Sequence, residues 1–358
     1  MLFKGEFKEI YRTNLVTGIL LAGNLLLVVL SLISYWVPYI HPSEGGWFSN
    51  LGLAPLALLL LNLVFIFLWL IIRPGLAIIS AAAFLFGLPM LSRLIAFPIQ
   101  KKETINGETL RIASYNMQFS KPVIGLETKI KAFRSYLKSQ QDLDILAVQE
   151  CGPRSRHYIR QNISFPYQYF PENMLLGIYS KYPILNSGYI DFGFNRVNTC
   201  LWIDVLIRQD TVRVYNTHLE ANRYDGIVPE VVDQDNEEKI TPTAILGIFK
   251  HYRYFSGIRS NQATAIRNHQ LESPFPSLIC GDLNEPPGTH TYTIISRDLK
   301  DSFLEAGRGI GSTHGGSIPG LRIDYVLTDH RFQVKKHENH NNSFSDHYLV
   351  RSEIVLNK

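Results

Sequence analysis

Three long stretches near the N-terminus carry no charged side chain, and they limit what this chain can become more than any other feature. Residues 13–43, 45–72 and 74–92 contain no Lys, Arg, Asp or Glu. A helix crossing about 30 Å of hydrocarbon at about 1.5 Å per residue needs roughly 20 apolar residues. Each stretch meets that need, the third least comfortably because Pro89 lies near its end. Three transmembrane helices are therefore expected, at about 14–38, 51–72 and 75–97. Trp36, Tyr39, Trp47 and Trp69 fall near the ends of the first two, where amphipathic rings favour the membrane–water boundary. A cleaved signal peptide fits poorly, because the first stretch is too long and two more follow it. A buried hairpin of a soluble domain fits worse, since soluble cores rarely string three uncharged runs together.

Charge divides the chain at the same place. Only 18% of all residues are charged, against about 25% in ordinary soluble proteins. The deficit lies in residues 1–100, which hold 5 Lys/Arg and 3 Asp/Glu; residues 101–358 hold 30 and 28, a formal charge of +2. The sequence thus reads as a membrane anchor (1–100) followed by a globular domain of ordinary composition (101–358). Disorder and disulfide-stapled mini-proteins are excluded. Cys151, Cys200 and Cys280 are too few for a disulfide framework, and their odd number leaves a thiol free; they read as partly buried structural thiols.

Lys and Arg near the helix ends set orientation. Lys4, Lys8 and Arg12 precede the first helix, the first connection has none, and Arg73 sits in the Arg-Pro-Gly turn between the second and third. This predicts a cytoplasmic N-terminus and, after three spans, an extracytoplasmic globular domain. Arg93, Lys101 and Lys102 pull the other way.

Beyond residue 109, short β-branched or aromatic runs alternate with helical segments. Strands are predicted over 109–115, 144–149, 200–207, 211–219, 277–283, 322–328 and 347–356. Residues 126–140 form an amphipathic helix on the spacing of Ile130, Phe133 and Leu137, and residues 243–271 form a second, longer one. Polar residues cluster where strands end: Asn116 ends the first, Glu150 ends the second, His218 lies near the end of the fourth, and Asp282 with Asn284 ends the fifth. Asp324 lies within the sixth, and Asp346 with His347 opens the last. Strand ends and the loops beyond them are where α/β scaffolds build sites. Singly, each residue reads as a turn or a solvated end. Together, each behind an apolar strand, they read as one site.

The stretches SYNMQF (114–119), LAVQE (146–150), NTHLE (216–220), CGDLNEPP (280–287), RIDYVL (322–327) and SDH (345–347) resemble the motifs of the endonuclease/exonuclease/phosphatase superfamily, in the expected order. YSKYPI (179–184) matches a further one, so the resemblance spans about residues 109–356. It implies an α/β fold, a four-layer sandwich of two β-sheets flanked by helices, here preceded by the three transmembrane helices. It also implies phosphoester hydrolysis with Mg²⁺ or Mn²⁺, ions that prefer hard oxygen ligands. By the same resemblance Glu150 is the principal metal ligand, with Asn116 and Asp346 as further oxygen donors. Asp282 orients or deprotonates the attacking water, and Asn284 positions the phosphate. His347 contacts the phosphate, Asp324 fixes the His347 tautomer, and His218 donates to a phosphate oxygen or the leaving group.

Two segments stand apart from these motifs. Residues 220–240 hold seven Asp/Glu against Arg223 and Lys239, and read as a solvated insertion. Beside a site they would disfavour long polyanions, since nucleic-acid grooves are basic. The glycine-rich stretch 307–320 lacks dinucleotide-fingerprint spacing and reads as a mobile loop bordering the site, with His314 placed to touch substrate. The expected activity is a membrane-anchored phosphodiesterase or phosphatase acting on a lipid head group or other small phosphoester. A membrane-tethered nuclease would use the same chemistry. A non-enzymatic binding module is disfavoured by the retained acids, amides and histidines.

Overall fold

The computed structural model describes residues 3–97, 107–118, 127–193, 198–222, 242–316 and 320–356. The first apolar run forms α1 (Phe3–Trp36). The connection after it contains a short helix α2 (Pro42–Gly45) and a 3₁₀ segment (Gly46–Leu53), followed by α3 (Pro55–Ile72). The third expected span is not one straight helix. It is α4 (Ala77–Phe86) followed by α5 (Leu88–Leu94), and the segments Pro74–Phe86 and Leu88–Leu94 are bent by 51°. The break falls at Gly87, whose α-carbon packs against Tyr35 and Leu59, and Pro89 cannot supply the amide that a continuous helix would use. Among the described residues, two helices are thus long and apolar enough to cross a membrane, three if the bent pair counts as one.

The packing of these helices is inside-out for a protein in water. Asn24, Ser31, Ser34, Asn62 and Ser80 are fully buried, while Ile19, Leu26, Val64, Phe67, Ile71 and Phe86 are exposed. Asn24 ties all three helices together: its amide donates to Ser80 Oγ (2.6 Å), and its carbonyl accepts from Trp69 Nε1 (2.8 Å). Asn62 donates to Ser31 Oγ (2.7 Å) and to the Leu58 carbonyl (2.9 Å). Where the surroundings are as apolar as leucine, interhelical hydrogen bonds and close packing replace hydrophobic burial as the source of association.

Among the described residues twelve strands build the globular part, more than the seven expected, because short or polar-flanked segments such as β9 (Leu299–Asp301) and β11 (Phe332–His340) carry little apolar signal. One sheet has the order β11-β12-β1-β2-β4-β3 and the other β5-β6-β7-β8-β10-β9. In the first lie β1 (Leu110–Asn116), β2 (Ile145–Gln149), β3 (Tyr167–Tyr169), β4 (Gly177–Ser180) and β12 (Leu349–Leu356). In the second lie β5 (Ile184–Ile190), β6 (Thr199–Ile207), β7 (Asp210–His218), β8 (Ser277–Asp282) and β10 (Asp324–Asp329). Period-two alternation explains the layering. Ile112, Ile145, Ile203, Val214, Leu278 and Val326 fill the space between the sheets. Their neighbours point outward to helices. Tyr115 and Val148 meet Phe133 and Leu137 of α6 (Glu127–Ser139) and Ile159 of α7 (Pro153–Asn162). Tyr215 and Ile279 meet Ala263 and Ile266 of α8 (Pro242–Leu271), and also Tyr292 of α9 (His290–Ser296). The four-layer sandwich expected from the sequence is the observed fold. All three cysteines are free and buried, more deeply than expected, and burial pushes the Cys151 thiol up to about 12.

The globular domain rests against the α1–α3 connection. Gly52 and Gly288 approach so closely that a Cβ on Gly52 would lie 2.9 Å from the Gly288 carbonyl oxygen. The His41 and His290 rings meet edge to face at 5.5 Å. At the end of α5, Arg93 donates to Thr293 Oγ1 (2.9 Å), and the buried Arg322 guanidinium donates to the Arg93 carbonyl (2.8 Å). Ala96 and Gly309 form an antiparallel bridge.

One prediction concerns stability alone. His337 on β11 is bonded to Ser302, Ser352 and Asn339, and burial lowers its pKa from the usual 6.5 to about 4. A depressed histidine stabilises the fold above its unfolded pKa and loses that contribution as protons compete for it. Thermal stability should therefore fall between pH 6.5 and about 4, by about 2 kcal/mol from this residue once partial solvent contact is allowed for. His337→Gln should flatten the profile there; an unchanged acid slope would refute the assignment.

Candidate active site

Four of the strands that line the core, β1, β2, β7 and β8, end in a polar residue of the same inward parity. Ile112 and Ser114 lead to Asn116, Ala147 leads to Gln149, Val214 and Asn216 lead to His218, and Cys280 leads to Asp282. β7 and β8 run parallel with His218 opposite Asp282, and β10 runs antiparallel to β8 with Asp324 opposite Asp282. His218, Asp282 and Asp324 therefore form a row across three strands. In the other sheet β1 and β2 are parallel, with Asn116 opposite Gln149. The antiparallel β12 brings the preceding residues Asp346 and His347 to the same end.

Four expected positions shift by small amounts. Glu150 lies just past β2 rather than ending it, at φ +47°, and Asp324 is the first residue of β10 rather than an interior one. Asp346 and His347 precede β12, with His347 bridged to His314 instead.

Asp282 is the hub. Its Oδ2 accepts from Asn116 Nδ2 (3.1 Å) and lies 3.8 Å from His218 Nε2 and 3.7 Å from His347 Nε2. Its Oδ1 accepts from the Asn284 amide (2.8 Å), and the Asn284 side chain donates to the Leu219 carbonyl (3.0 Å). Gly281 permits this turn: at φ +141° a Cβ would run into the Thr217 carbonyl of the neighbouring strand. His347 Nδ1 faces the Asp324 carboxylate at 3.0 and 3.2 Å. Burial opposes charge on this histidine, but Asp324 and Asp282 outweigh it and lift its pKa to about 10. Burial in turn raises Asp324 above the usual carboxyl range, against the pull of His347. His347 is thus held as an imidazolium with Nε2 turned toward Asp282. His218 Nε2 lies 3.9 Å from Glu150 Oε1, and its Nδ1 is buried without a hydrogen-bond partner among the described residues.

The eight expected site residues converge. The structure adds others. Gln118 joins two of the expected ligands, its backbone amide donating to Asn116 Oδ1 (3.1 Å) and its side chain to Asp346 Oδ2 (2.9 Å). Gln149 and Asn216, both fully buried, link the sheets beneath the site. Gln149 donates to Asn216 Oδ1 (2.6 Å), and Asn216 donates to the Val148 and Gly177 carbonyls. Thr313 Oγ1 accepts from the Ile323 and Asp324 amides. His314 stacks edge to face on His347 at 4.8 Å, with Nε2 3.9 Å from Asp346 Oδ2. Burial lowers its pKa, and the Gly316 amide donates to its Nδ1 (3.1 Å), so a neutral His314 carries its proton on Nε2. The glycine-rich loop does border the site. Most of the acidic segment, residues 223–240, lies outside the described residues.

The donor set suits a hard divalent cation. Glu150, Asp282, Asp324 and Asp346 gather at one end of the sandwich, and among the described residues their ion-pair partners are all histidines. Among the described residues two groups of His and Asp have ligand atoms within 4.8 Å of one another: His314, Asp346 and His347, and Asp282, Asp324 and His347. In the second, the His347 ring already lies between two carboxylates, with Nδ1 bonded to Asp324 and Nε2 facing Asp282, which favours hydrogen bonding over metal ligation.

Comparison with known proteins points the same way. The family described as Endonuclease/Exonuclease/phosphatase matches residues 113–347, and a domain of unknown function (DUF8431) matches residues 17–94. No protein of curated function matches the sequence. Among solved structures, an endonuclease/exonuclease/phosphatase family protein from Bacteroides thetaiotaomicron is 15% identical with a TM-score of 0.51, covering 71% of this chain and 100% of that one. The endonuclease/exonuclease/phosphatase from Bacteroides vulgatus is 17% identical with a TM-score of 0.51, covering 70% and 99%. D. rerio TDP2 complexed with a single-strand DNA product is 14% identical with a TM-score of 0.50, covering 69% and 99%. Identities this low establish a shared fold alone.

Proposed function

The chain belongs to the endonuclease/exonuclease/phosphatase family, and we propose that it is a divalent-metal-dependent phosphoester hydrolase held in a membrane by its N-terminal helices. The observation that carries this reading is the row His218, Asp282 and Asp324, completed by His347 and surrounded by carboxylates whose described partners are histidines. Glu150, Asn116 and Asp346 would hold Mg²⁺ or Mn²⁺, which neutralises phosphate charge and stabilises a leaving oxygen when bound.

The protein's own groups divide the remaining work. Asp282, fixed by Asn116 and the Asn284 amide, orients the attacking water and accepts its proton. The His347 imidazolium, oriented by Asp324, donates to a phosphoryl oxygen as charge develops there. His218 Nε2 serves a second oxygen or the leaving group, and Asn284 positions the phosphate. These roles follow the side-chain geometry and the family resemblance together.

The inside-out packing of α1, α3, α4 and α5 supports a membrane location. The globular domain touches the α1–α3 connection, so both lie on the side opposite Arg73 and the N-terminus when the helices span. With Lys4, Lys8, Arg12 and Arg73 on the cytoplasmic side, that side is extracytoplasmic. Its substrate is a lipid head group or another small phosphoester, met within reach of the bilayer.

The test is Mg²⁺-dependent hydrolysis by the full-length protein in detergent, offered sphingomyelin, phosphatidylinositol phosphates, a generic bis-ester, plasmid DNA and RNA, with Glu150→Ala as control. Turnover of lipid or bis-ester that Glu150→Ala loses is expected. DNA cleavage without lipid turnover would reverse the substrate order, and equal activity in the variant would remove Glu150 from the site. A C-terminal reporter active only in the cytoplasm would overturn the orientation.

A further inference from the structure

Helix α8 runs past the body that it packs on. From Tyr252 onward one of its faces is buried: Tyr252, Ser256, Arg259, Ser260 and Ala263 are all inaccessible. At 100° per residue the same face continues N-terminally through Ile245 and Phe249. There it is open: Ile245, Leu246 and Phe249 are exposed by 42%, 53% and 38%. A water-facing helix end has no reason to keep so many large apolar side chains, and a contiguous exposed apolar patch marks an interaction site.

Its position identifies the occupant. This half of α8 lies against α2 and the 3₁₀ segment that joins the first two candidate spans. The Arg253 guanidinium sits over the Trp47 ring at 5.7 Å. Trp47 and Phe48 are themselves half exposed, and Trp36 ends α1 in the same region at 66% exposure. The apolar face of α8 is thereby continuous with the aromatic ring-bearing ends of the membrane helices. Lys250 is exposed beside it, and Lys and Arg flanking an apolar face suit phosphate head groups.

The geometry points to the N-terminal half of α8 as an interfacial membrane helix, its Ile245 and Phe249 side chains seated in the bilayer leaflet into which α1 and α3 emerge. This rests on the membrane reading above and extends it, for the catalytic domain then touches lipid through a second element besides its anchor. The same helix carries Arg259, bonded to the Glu285 carboxylate next to Asn284, so lipid contact and active site share one rigid rod.

Because Cys151, Cys200 and Cys280 are buried, single added cysteines can be labelled selectively in the full-length protein. Phe249→Cys, Ile245→Cys, Glu272→Cys and Leu26→Cys would each carry the NBD fluorophore, with the protein reconstituted in phosphatidylcholine/phosphatidylglycerol vesicles. The expected result is blue-shifted emission at 245 and 249, quenched by lipids spin-labelled near the head group. The label at exposed Glu272, at the far end of α8, should read as aqueous, and the label at Leu26 should be quenched by deeply labelled lipids. Aqueous emission at 245 and 249 with quenching at 26 would overturn the interfacial helix while sparing the spans. Loss of quenching at 26 would overturn the membrane reading and the proposal with it. Blue-shifted emission at 249 that spin-labelled lipid leaves unquenched would mean that protein covers the face, from the segment before α8 or a second copy, and would also overturn it.

Discussion

Replacing His347 by alanine should lower turnover by about 10²–10⁴-fold while leaving the fold intact, and His218→Ala should do the same. The two histidines flank Asp282 at 3.7 and 3.8 Å but are held differently. His347 is paired with Asp324 and kept charged, so its loss removes a pre-oriented cation from a site rich in carboxylates. His218 has Nε2 between Asp282 and Glu150. Both sit at a strand end or beyond it and outside the three apolar clusters, so truncation removes no packing from the hydrophobic core. Initial rates on whichever phosphoester the wild type turns over, beside far-ultraviolet dichroism of each variant, give the comparison. Near-normal turnover in either variant would remove that histidine from the mechanism. Asp324→Asn should resemble His347→Ala more than His218→Ala, since only His347 depends on it for its charge.

The largest effect on stability is expected at Arg259. This guanidinium is fully buried on α8, donating to Glu285 Oε1 (2.9 Å), the Glu220 carbonyl (2.8 Å) and Asn222 Oδ1 (3.0 Å). Tyr252 donates to the other Glu285 oxygen. Arg259→Met strands a buried carboxylate, and breaking one partner of such a pair typically costs about 3–5 kcal/mol. Replacing both partners, Arg259→Met with Glu285→Gln, should recover much of that loss, because no charge is then left uncompensated. Activity should stay low in the double variant, since Glu285 follows Asn284 and the pair joins that turn to the segment after His218. Thermal midpoints of the purified full-length protein in one detergent decide the first point. A single variant as stable as the wild type would show that the pair carries no stability.

Much of this was legible from residue order, and the reason is geometric. Parallel β1 and β2, and parallel β7 and β8, put their C-terminal ends at one edge of the sandwich, so a polar residue closing each apolar run marks the site without any knowledge of the packing. His218, Asp282, Asn116 and Glu150 declare themselves in this way. Gln149 and Asn216 do not, although both stand in the recognised motifs: a buried amide that ties two sheets together looks the same in sequence as a solvated one. Arg259 and Glu285 are separated by 26 positions, and nothing local in either segment announces the pairing. The bend at Gly87 escaped for another reason. Hydropathy counts apolar residues along a line and is blind to the Tyr35 and Leu59 side chains that crowd the α-carbon there. His314 was legible only through the glycines around it; its place beside His347 is a tertiary fact.

The meeting of Gly52 and Gly288 bears on how such a chain can change over generations. Neither side has room for a methyl group, and the Arg322–Arg93 bond and the Ala96–Gly309 bridge fix the same seam nearby. The N-terminal helices and the globular domain are therefore a fitted pair rather than interchangeable modules. A different set of apolar helices grafted in front of residue 107 would have to reproduce a glycine, a helix-terminal carbonyl and a strand partner to seat the same domain. Variation along this seam should be correlated across it, while the exposed leucines and phenylalanines of the N-terminal helices remain free to drift among themselves.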